Sequence, residues 1–273
     1  MARILLTNDD GIHAPGIKAL YNTFRNIAEV YIVAPDRERS ASSHSLTLHR
    51  PLKVSEIGER IYSVNGTPTD CIALAVEKLL PEKPDLIISG INDGPNLGDD
   101  ITYSGTVSAA IEGTILGVPS FSISLDTWIM KKNHREGFCE NNVCWFDSAT
   151  RIALIVARFI LEHSLPYDTL LNVNVPNLPL HDIKGIKLTR QGKRIYDNPI
   201  KEVLSPSGEK YYWIGGGEPY WEHGEDTDIS AVMDGYVSVT PVHLDLTNYE
   251  ALKYLSMRWQ EIEEQIKDSK KVL

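Results

Sequence analysis

The chain has 273 residues, 42% of them hydrophobic and 23% charged, with a formal net charge of −10. This length suits one large domain, or one domain with a smaller appendage, and lets the fold bury about 75% of the unfolded surface without covalent staples. The acidic balance argues against a nucleic acid or an anionic membrane as partner, yet admits a small anionic substrate where a bound cation reverses the local field. Three cysteines, Cys71, Cys139 and Cys144, make no disulfide framework and suit a reducing compartment. The N-terminus lacks a signal-peptide pattern, and no apolar run approaches the roughly 18 residues of a membrane span. A cytoplasmic protein is expected.

Residues 3–7 (RILLT) form a short apolar run punctuated by Asn-Asp-Asp-Gly, which predicts a strand. Over residues 16–28, Ile17, Leu20, Phe24 and Ile27 share one helical face. Residues 30–34 are a second buried strand closed by Pro35-Asp36, so the two strands should be parallel with a right-handed crossover. Residues 52–57 and 60–64 flank Gly58-Glu59 as a hairpin. Thr67-Pro68-Thr69-Asp70 opens a helix, with Thr67 as N-cap, Pro68 at the first position and Asp70 in the first turn. That account is complete in structural terms and leaves the motif no catalytic role.

Residues 85–89 are a third buried strand, followed by a polar loop, GINDGPNLGDDITYSGT. A helix over 107–116, a strand over 118–125, a helix over 148–163 and a strand over 170–175 continue the alternation. The pattern predicts an α/β fold: a Rossmann-like, mostly parallel sheet flanked by helices over residues 1–189. Glycines, prolines and aromatics crowd residues 190–223, a strand is expected over 235–246 and a helix over 249–267. Residues 190–273 thus read as a smaller β-rich C-terminal appendage with a terminal helix.

Open α/β sheets bind ligands beyond the carboxyl ends of their strands. Asn8, Asp9 and Asp10 follow the first predicted strand, PDRERSASSHS with Ser40 follows the second, and Ser-Gly-Ile-Asn with Asn92 follows the third. Two carboxylates, a hydroxyl and a carboxamide therefore face one crevice. All are hard oxygen donors, which select Mg²⁺, Mn²⁺ or Ca²⁺ over zinc or copper. Asp-Asp-Gly alone would be a polar turn; its match with the other two strand ends favours a metal site.

Tyr103-Ser104-Gly105-Thr106 stands directly before the helix at 107. A helix N-terminus offers unpaired N–H groups and partial positive charge, and a glycine permits close approach of an anion. Ser104 or Thr106 could equally cap the helix, and the two roles are compatible. Gly90, Gly94 and Gly98 do not form a dinucleotide fingerprint, and no Walker lysine motif is present. A divalent cation beside a phosphate cradle implies phosphoryl chemistry, with a metal-bound water as nucleophile. An aspartate could attack instead and form an acyl phosphate, but the metal already claims both Asp9 and Asp10.

Other features carry less. Asp36-Arg37-Glu38-Arg39 reads as a solvated loop, although Arg39 could approach a phosphate. His13 and His44 lie in the crevice loops, where either could serve as general acid or stand by. Cys139 and Cys144 with His134 lack a fourth zinc ligand. Tyr211, Tyr212, Trp213, Tyr220 and Trp221 could stack a base, or form an apolar patch or subunit contact. Leu252, Leu255, Trp259, Ile262 and Ile266 follow a three-four spacing that would dock the last helix on its own domain or on another subunit; the pattern alone favours its own domain.

The stretches ILLTNDDGIHAPGI, VAPDRERSASSHSLTL, NGTPTDC, ISGINDGPNLGDDITYSGTVSAAIEGTILGVPS, NVNVPNLPL and GYVSVTPVHLDLT run in one order through nearly the whole chain. In these stretches the chain resembles the stationary-phase survival protein SurE family of metal-dependent 5′-nucleotidases. The resemblance implies that Asp9, Asp10, Ser40 and Asn92 bind a divalent metal cation (Mg²⁺ or Mn²⁺), with Asp9 and Asp10 catalytic. It implies that Asn96, Ser104, Gly105 and Thr106 contact phosphate. It further implies hydrolysis of nucleoside monophosphates, for some members of 3′-nucleotides and short polyphosphate, and homodimers or homotetramers with exchanged C-terminal segments. Between Leu125 and Phe146 this sequence is longer than the family pattern.

Two rival readings fit less well. A receiver-like signalling module also places an acidic pair after its first strand, but needs an aspartate phosphoacceptor after a later one, where Asn92 stands here. A haloacid-dehalogenase-type phosphatase needs an Asp-x-Asp spacing that Asp9-Asp10 does not supply.

Overall fold

The structure, a computed structural model, describes residues 1–127, 144–196, 200–214, 219–221 and 224–271. Its first unit is built on nine strands: β1 (Arg3–Thr7), β2 (Glu29–Pro35), β3 (Val54–Gly58), β4 (Ile61–Val64), β5 (Leu86–Asp93), β6 (Ser120–Asp126), β7 (Thr169–Pro176), β8 (Ile186–Leu188) and, late in the chain, β13 (Val237–His243). They lie in the order β3-β4-β2-β1-β5-β6-β7-β13-β8. β4-β2-β1-β5-β6-β7 are parallel throughout, and the hairpin strand β3 runs antiparallel to its neighbour β4.

Helix α1 (Pro15–Phe24) starts with a proline, whose missing N–H costs nothing at that position. It buries Ile17, Leu20 and Phe24 against Leu6, Ile88 and Ile123 of the sheet, together with Ile152, Val156 and Ile160 of α4 (Phe146–His163). Gly16 is required there: a Cβ would stand 2.0 Å from the carbonyl oxygen of Ile91. The opposite face packs Leu5, Val33 and Ile87 under Cys71 and Ile72 of α2 (Pro68–Leu74) and Ala109 of α3 (Gly105–Ile115). Each large aliphatic side chain buried in these layers contributes roughly 1.5–3 kcal/mol.

The expected helix over 107–116 begins two residues earlier, because the Ser104 hydroxyl caps it by accepting the Val107 N–H at 3.0 Å. The expected β-rich region contains two antiparallel pairs. One joins β10 (Ile200–Leu204) to β11 (Lys210–Ile214), the other β9 (Arg194–Tyr196) to β12 (Pro219–Trp221). The chain then forms α5 (Asp228–Met233) and returns to the main sheet through β13, parallel to β8.

The second compact unit, His243–Leu273, holds two helices, α6 (Tyr249–Ser256) and α7 (Trp259–Lys271), where one helix was expected. No glycine or proline marks the break at residues 257–258. No helix among the described residues is long and apolar enough to cross a membrane.

Candidate active site

The strand order runs outward in opposite directions from the β1–β5 pair. That pair is the switch point, where a crevice opens beyond the strand ends. Asp9 and Asp10 leave β1 on one side of it, and Asn92 stands near the end of β5 on the other. Between Gly90 and Asn92 the register of β5 against β6 shifts, which re-aims the last residues of β5.

Asp9 is only 5% exposed. The Thr106 hydroxyl donates to its Oδ1 and lies 3.2 Å from Oδ1 of Asn92. Asn92 Nδ2 donates to the Gly94 carbonyl at 2.8 Å, which fixes the amide so that its oxygen faces the Thr106 hydroxyl. Asp10 Oδ2 accepts the backbone N–H of Asp93 at 3.2 Å. Burial pushes the Asp9 carboxyl above its ordinary range. Burial first, and the neighbouring Asp9 second, push Asp10 up to about 7. Both acids are thus costly to ionise in this crevice, and a divalent cation removes that cost. Oxygen donors, converging lone pairs and disfavoured charge together fit a hard cation.

Ser40 is placed differently from its three companions. It is exposed, and its hydroxyl donates to Glu38 Oε1 at 2.6 Å. No hydrogen bond among the described residues joins it to Asp9 or Asp10, although the neighbouring Arg39 N–H donates to the Asp9 carbonyl at 2.7 Å.

The loop carrying Ser40 has no regular structure, yet it is held at several points. Ser43 N–H donates to the Tyr103 carbonyl at 3.1 Å, and the His44 ring meets buried Glu112 of α3 at 2.7 Å. Thr67 caps α2 as expected, and with Asp70 it forms a reciprocal capping box. Their role is wider than capping: Asp70 also accepts the Thr47 N–H at 2.8 Å and its hydroxyl at 2.7 Å, while the Thr67 hydroxyl donates to the Ser45 carbonyl at 2.7 Å.

On the anion side, Ser104 is the α3 cap, and Thr106 gives both its hydroxyl and its backbone N–H to Asp9, so the Gly105 N–H is the donor of this turn that could meet a ligand. A Cβ on Gly105 would come within 2.7 Å of Ser42 Oγ and 2.8 Å of Asp9 Cβ. Only glycine lets the helix start so close to the acid. Asn96 is buried, and its Nδ2 donates to Ser124 Oγ at 2.8 Å. Its backbone is gripped by Asn172 and Asn174 of β7, two residues the sequence reading did not single out. The available signal was two asparagines alternating with valines in an otherwise apolar strand.

His13 is exposed. Tyr211, Tyr212 and Trp213 are exposed on β11. Trp221 packs on Leu97, Ile229 and Val232, with the Arg194 guanidinium 5.6 Å from its ring centroid. Among the described residues no three His, Cys, Asp or Glu side chains cluster to hold a metal. His134 and Cys139 lie outside the described residues.

Fold and crevice together define an α/β protein of Rossmann-like strand order, with an all-oxygen acidic site at the switch point beside a helix N-terminus. The family model described as Survival protein SurE matches residues 4–198. The 5′-nucleotidase SurE of Geobacter sulfurreducens is 52% identical over 252 residues, covering 92% of each chain. That of Pelobacter propionicus is 51% identical over 253 residues, 93% of this chain and 98% of the relative. The crystal structure of the SurE protein from Aquifex aeolicus superposes with a TM-score of 0.80 at 46% identity, over 95% of this chain and 99% of that one. The chain belongs to the SurE family.

Proposed function

We propose that the protein is a metal-dependent phosphomonoesterase that hydrolyses nucleoside monophosphates, a 5′-nucleotidase, acting also on 3′-nucleotides and short polyphosphate. The observation that carries this reading is the meeting of Asp9, Asn92 and Thr106 at the β1–β5 switch point, directly beside the start of α3. The 5′-nucleotidase activity for which the relatives are named agrees with it. Asp9, Asp10 and Asn92 would hold Mg²⁺ or Mn²⁺, and Ser40 would join them once its hydroxyl leaves Glu38. When bound, such a cation polarises a phosphoryl group and lowers the pKa of a water.

The chain's own part is to bind and orient. The Gly105 N–H at the start of α3 offers a donor to the phosphoryl oxygens, where charge grows during hydrolysis, while the Thr106 N–H and hydroxyl hold Asp9. Asn96 has a second amide N–H beyond the one given to Ser124. Both aspartates being engaged, water attacks phosphorus, and the nucleoside oxygen leaves with a proton. We further propose a cytoplasmic homodimer or homotetramer with exchanged C-terminal segments.

The test is a panel of nucleoside 5′- and 3′-monophosphates assayed for phosphate release with Mg²⁺, Mn²⁺, Zn²⁺ or EDTA. Release with Mg²⁺ or Mn²⁺ and its loss in EDTA are expected. Release that ignores EDTA, or none with any metal, would overturn the reading.

A further inference from the structure

The face of the sheet beneath α3 carries two rows of polar side chains. Thr7, Ser89, Ser122 and Asn172 are register neighbours across β1, β5, β6 and β7. Asn92, Ser124 and Asn174 form the next row toward the carboxyl ends. Ser122, Ser124, Asn172 and Asn174 are all buried. A buried amide is costly unless its hydrogen bonds are made, and an apolar residue of similar size would serve stability as well. The reason for polarity here lies in what the amides hold.

Both hold Asn96. Asn174 Oδ1 accepts the Asn96 backbone N–H at 2.8 Å, and Asn174 Nδ2 donates back to the Asn96 carbonyl at 2.9 Å. Asn172 Nδ2 donates to the same carbonyl at 2.8 Å, while its Oδ1 accepts the Ser122 hydroxyl at 2.8 Å. The Asn96 side chain is tied in turn to Ser124. These bonds fix the position, the peptide planes and the side-chain direction of one loop residue. The row that orients Asn96 also contains Asn92, so the Asn92 carboxamide and the Asn96 turn are mounted on one polar strip.

We propose that Asn172 and Asn174 are positioning residues for phosphate recognition: by gripping the Asn96 backbone they aim its amide at the bound phosphoryl group. This rests on the reading of Asn96 as a phosphate contact.

The test is binding of inorganic phosphate by calorimetry in the presence of Mg²⁺, beside KM and kcat for a nucleoside monophosphate. Asn174→Asp keeps the acceptor for the Asn96 N–H but turns an oxygen toward the Asn96 carbonyl. It should weaken phosphate binding and raise KM together, by about tenfold, with the half-activating Mg²⁺ concentration unchanged. A merely structural role would lower kcat through the active fraction, or the melting temperature, and leave KM and phosphate affinity alone. That outcome, or no change at all, overturns the proposal. Asn172→Ser, which removes one donor and leaves Asn174, should shift both constants the same way to a smaller extent; it decides the matter if Asn174→Asp does not fold, and unchanged constants there overturn it equally. Asn96→Ala separates the two levels. If it leaves phosphate affinity unchanged, the reading of Asn96 itself falls. If it weakens binding while the β7 variants do not, only the positioning role falls.

Discussion

The Thr106 hydroxyl donates to Oδ1 of Asp9 while standing 3.2 Å from Oδ1 of Asn92, so one hydroxyl on α3 spans the ends of β1 and β5. A hydroxyl has a single hydrogen and gives it to the carboxylate, the stronger acceptor. Thr106→Val keeps the shape and removes that donor. A hydrogen bond to a charged group contributes about 1.5–3 kcal/mol, so kcat/KM at saturating metal should fall roughly 10- to 100-fold. Thr106→Ser should stay within about threefold. Steady-state kinetics with a thermal melt check this; full efficiency in the valine variant would mean that the hydroxyl does not orient Asp9.

Gly105→Ala tests the closeness of α3 to the acid. The new methyl would stand 2.7 Å from Ser42 Oγ, 2.8 Å from Asp9 Cβ and 2.9 Å from Asp9 Oδ2. Ser42 can turn away, but Asp9 Cβ moves only with its backbone. Displacement of a reacting group by about 1 Å costs on the order of 100-fold in rate. A loss of that size in kcat is expected, together with a higher metal requirement. Wild-type kcat in the alanine variant would show that the helix start need not touch the acid.

Asp9→Asn and Asp10→Asn should abolish most phosphate release while the protein stays folded. In EDTA at pH 8 both variants should melt at or above the wild-type temperature. Each removes a charge that burial disfavours, and at Asp10 one that Asp9 also repels. Melting curves beside the phosphate assay decide it: near-normal turnover in both variants would displace the site from this crevice.

The main sheet and the acid pair could be read from the sequence because local chemistry announces them. Apolar runs of strand length end at Thr7, Ala34 and Ser89, and the strand-end rule then selects Asp9, Asp10 and Asn92 without any contact being known. Serines in FSISL and asparagines in LLNVNVP conceal their role for the opposite reason. Alternation of period two describes a strand with one wet face, yet β6 and β7 are covered on both sides; Ser124, Asn172 and Asn174 are satisfied by the Asn96 turn and Ser122 by Asn172, all far away in sequence. Asp70 is similar: its capping role is local and legible, while its hold on Thr47 depends on the path of a long loop. Side-chain direction in that loop is also non-local, which is why Ser40 can be placed beside the crevice by sequence but not aimed into it.

His44 and Glu112 form a clasp between that loop and α3, 2.7 Å across with the carboxylate buried. His44→Ala should loosen the segment that carries Ser40 and leave Glu112 without its partner. The expected result is a several-fold rise in the metal concentration giving half activation, about 1 kcal/mol in binding terms, with kcat at saturating metal close to wild type. A fall in kcat that excess metal does not restore would instead place His44 in the chemistry, as the general acid.

The C-terminal unit presents apolar side chains that its own small size cannot cover. Leu252, Leu255, Trp259, Ile262 and Ile266 are all exposed, Leu252 to 56% and Ile266 to 52%. Thirty-odd residues seldom bury a core alone, and contiguous apolar surface of this kind marks an interface. The three-four spacing also continues in the sequence across the break between α6 and α7. A second copy of the chain is the occupant that the proposed exchange of C-terminal segments would supply. Light scattering should therefore give a dimer or tetramer mass for the wild type and a smaller species for Leu252→Glu with Ile262→Glu. The double variant should keep its metal-dependent turnover per site, because Asp9, Asp10 and Asn92 all come from the first unit. An unchanged mass would place the subunit contact elsewhere, and a monomeric but inactive variant would mean that assembly shapes the crevice.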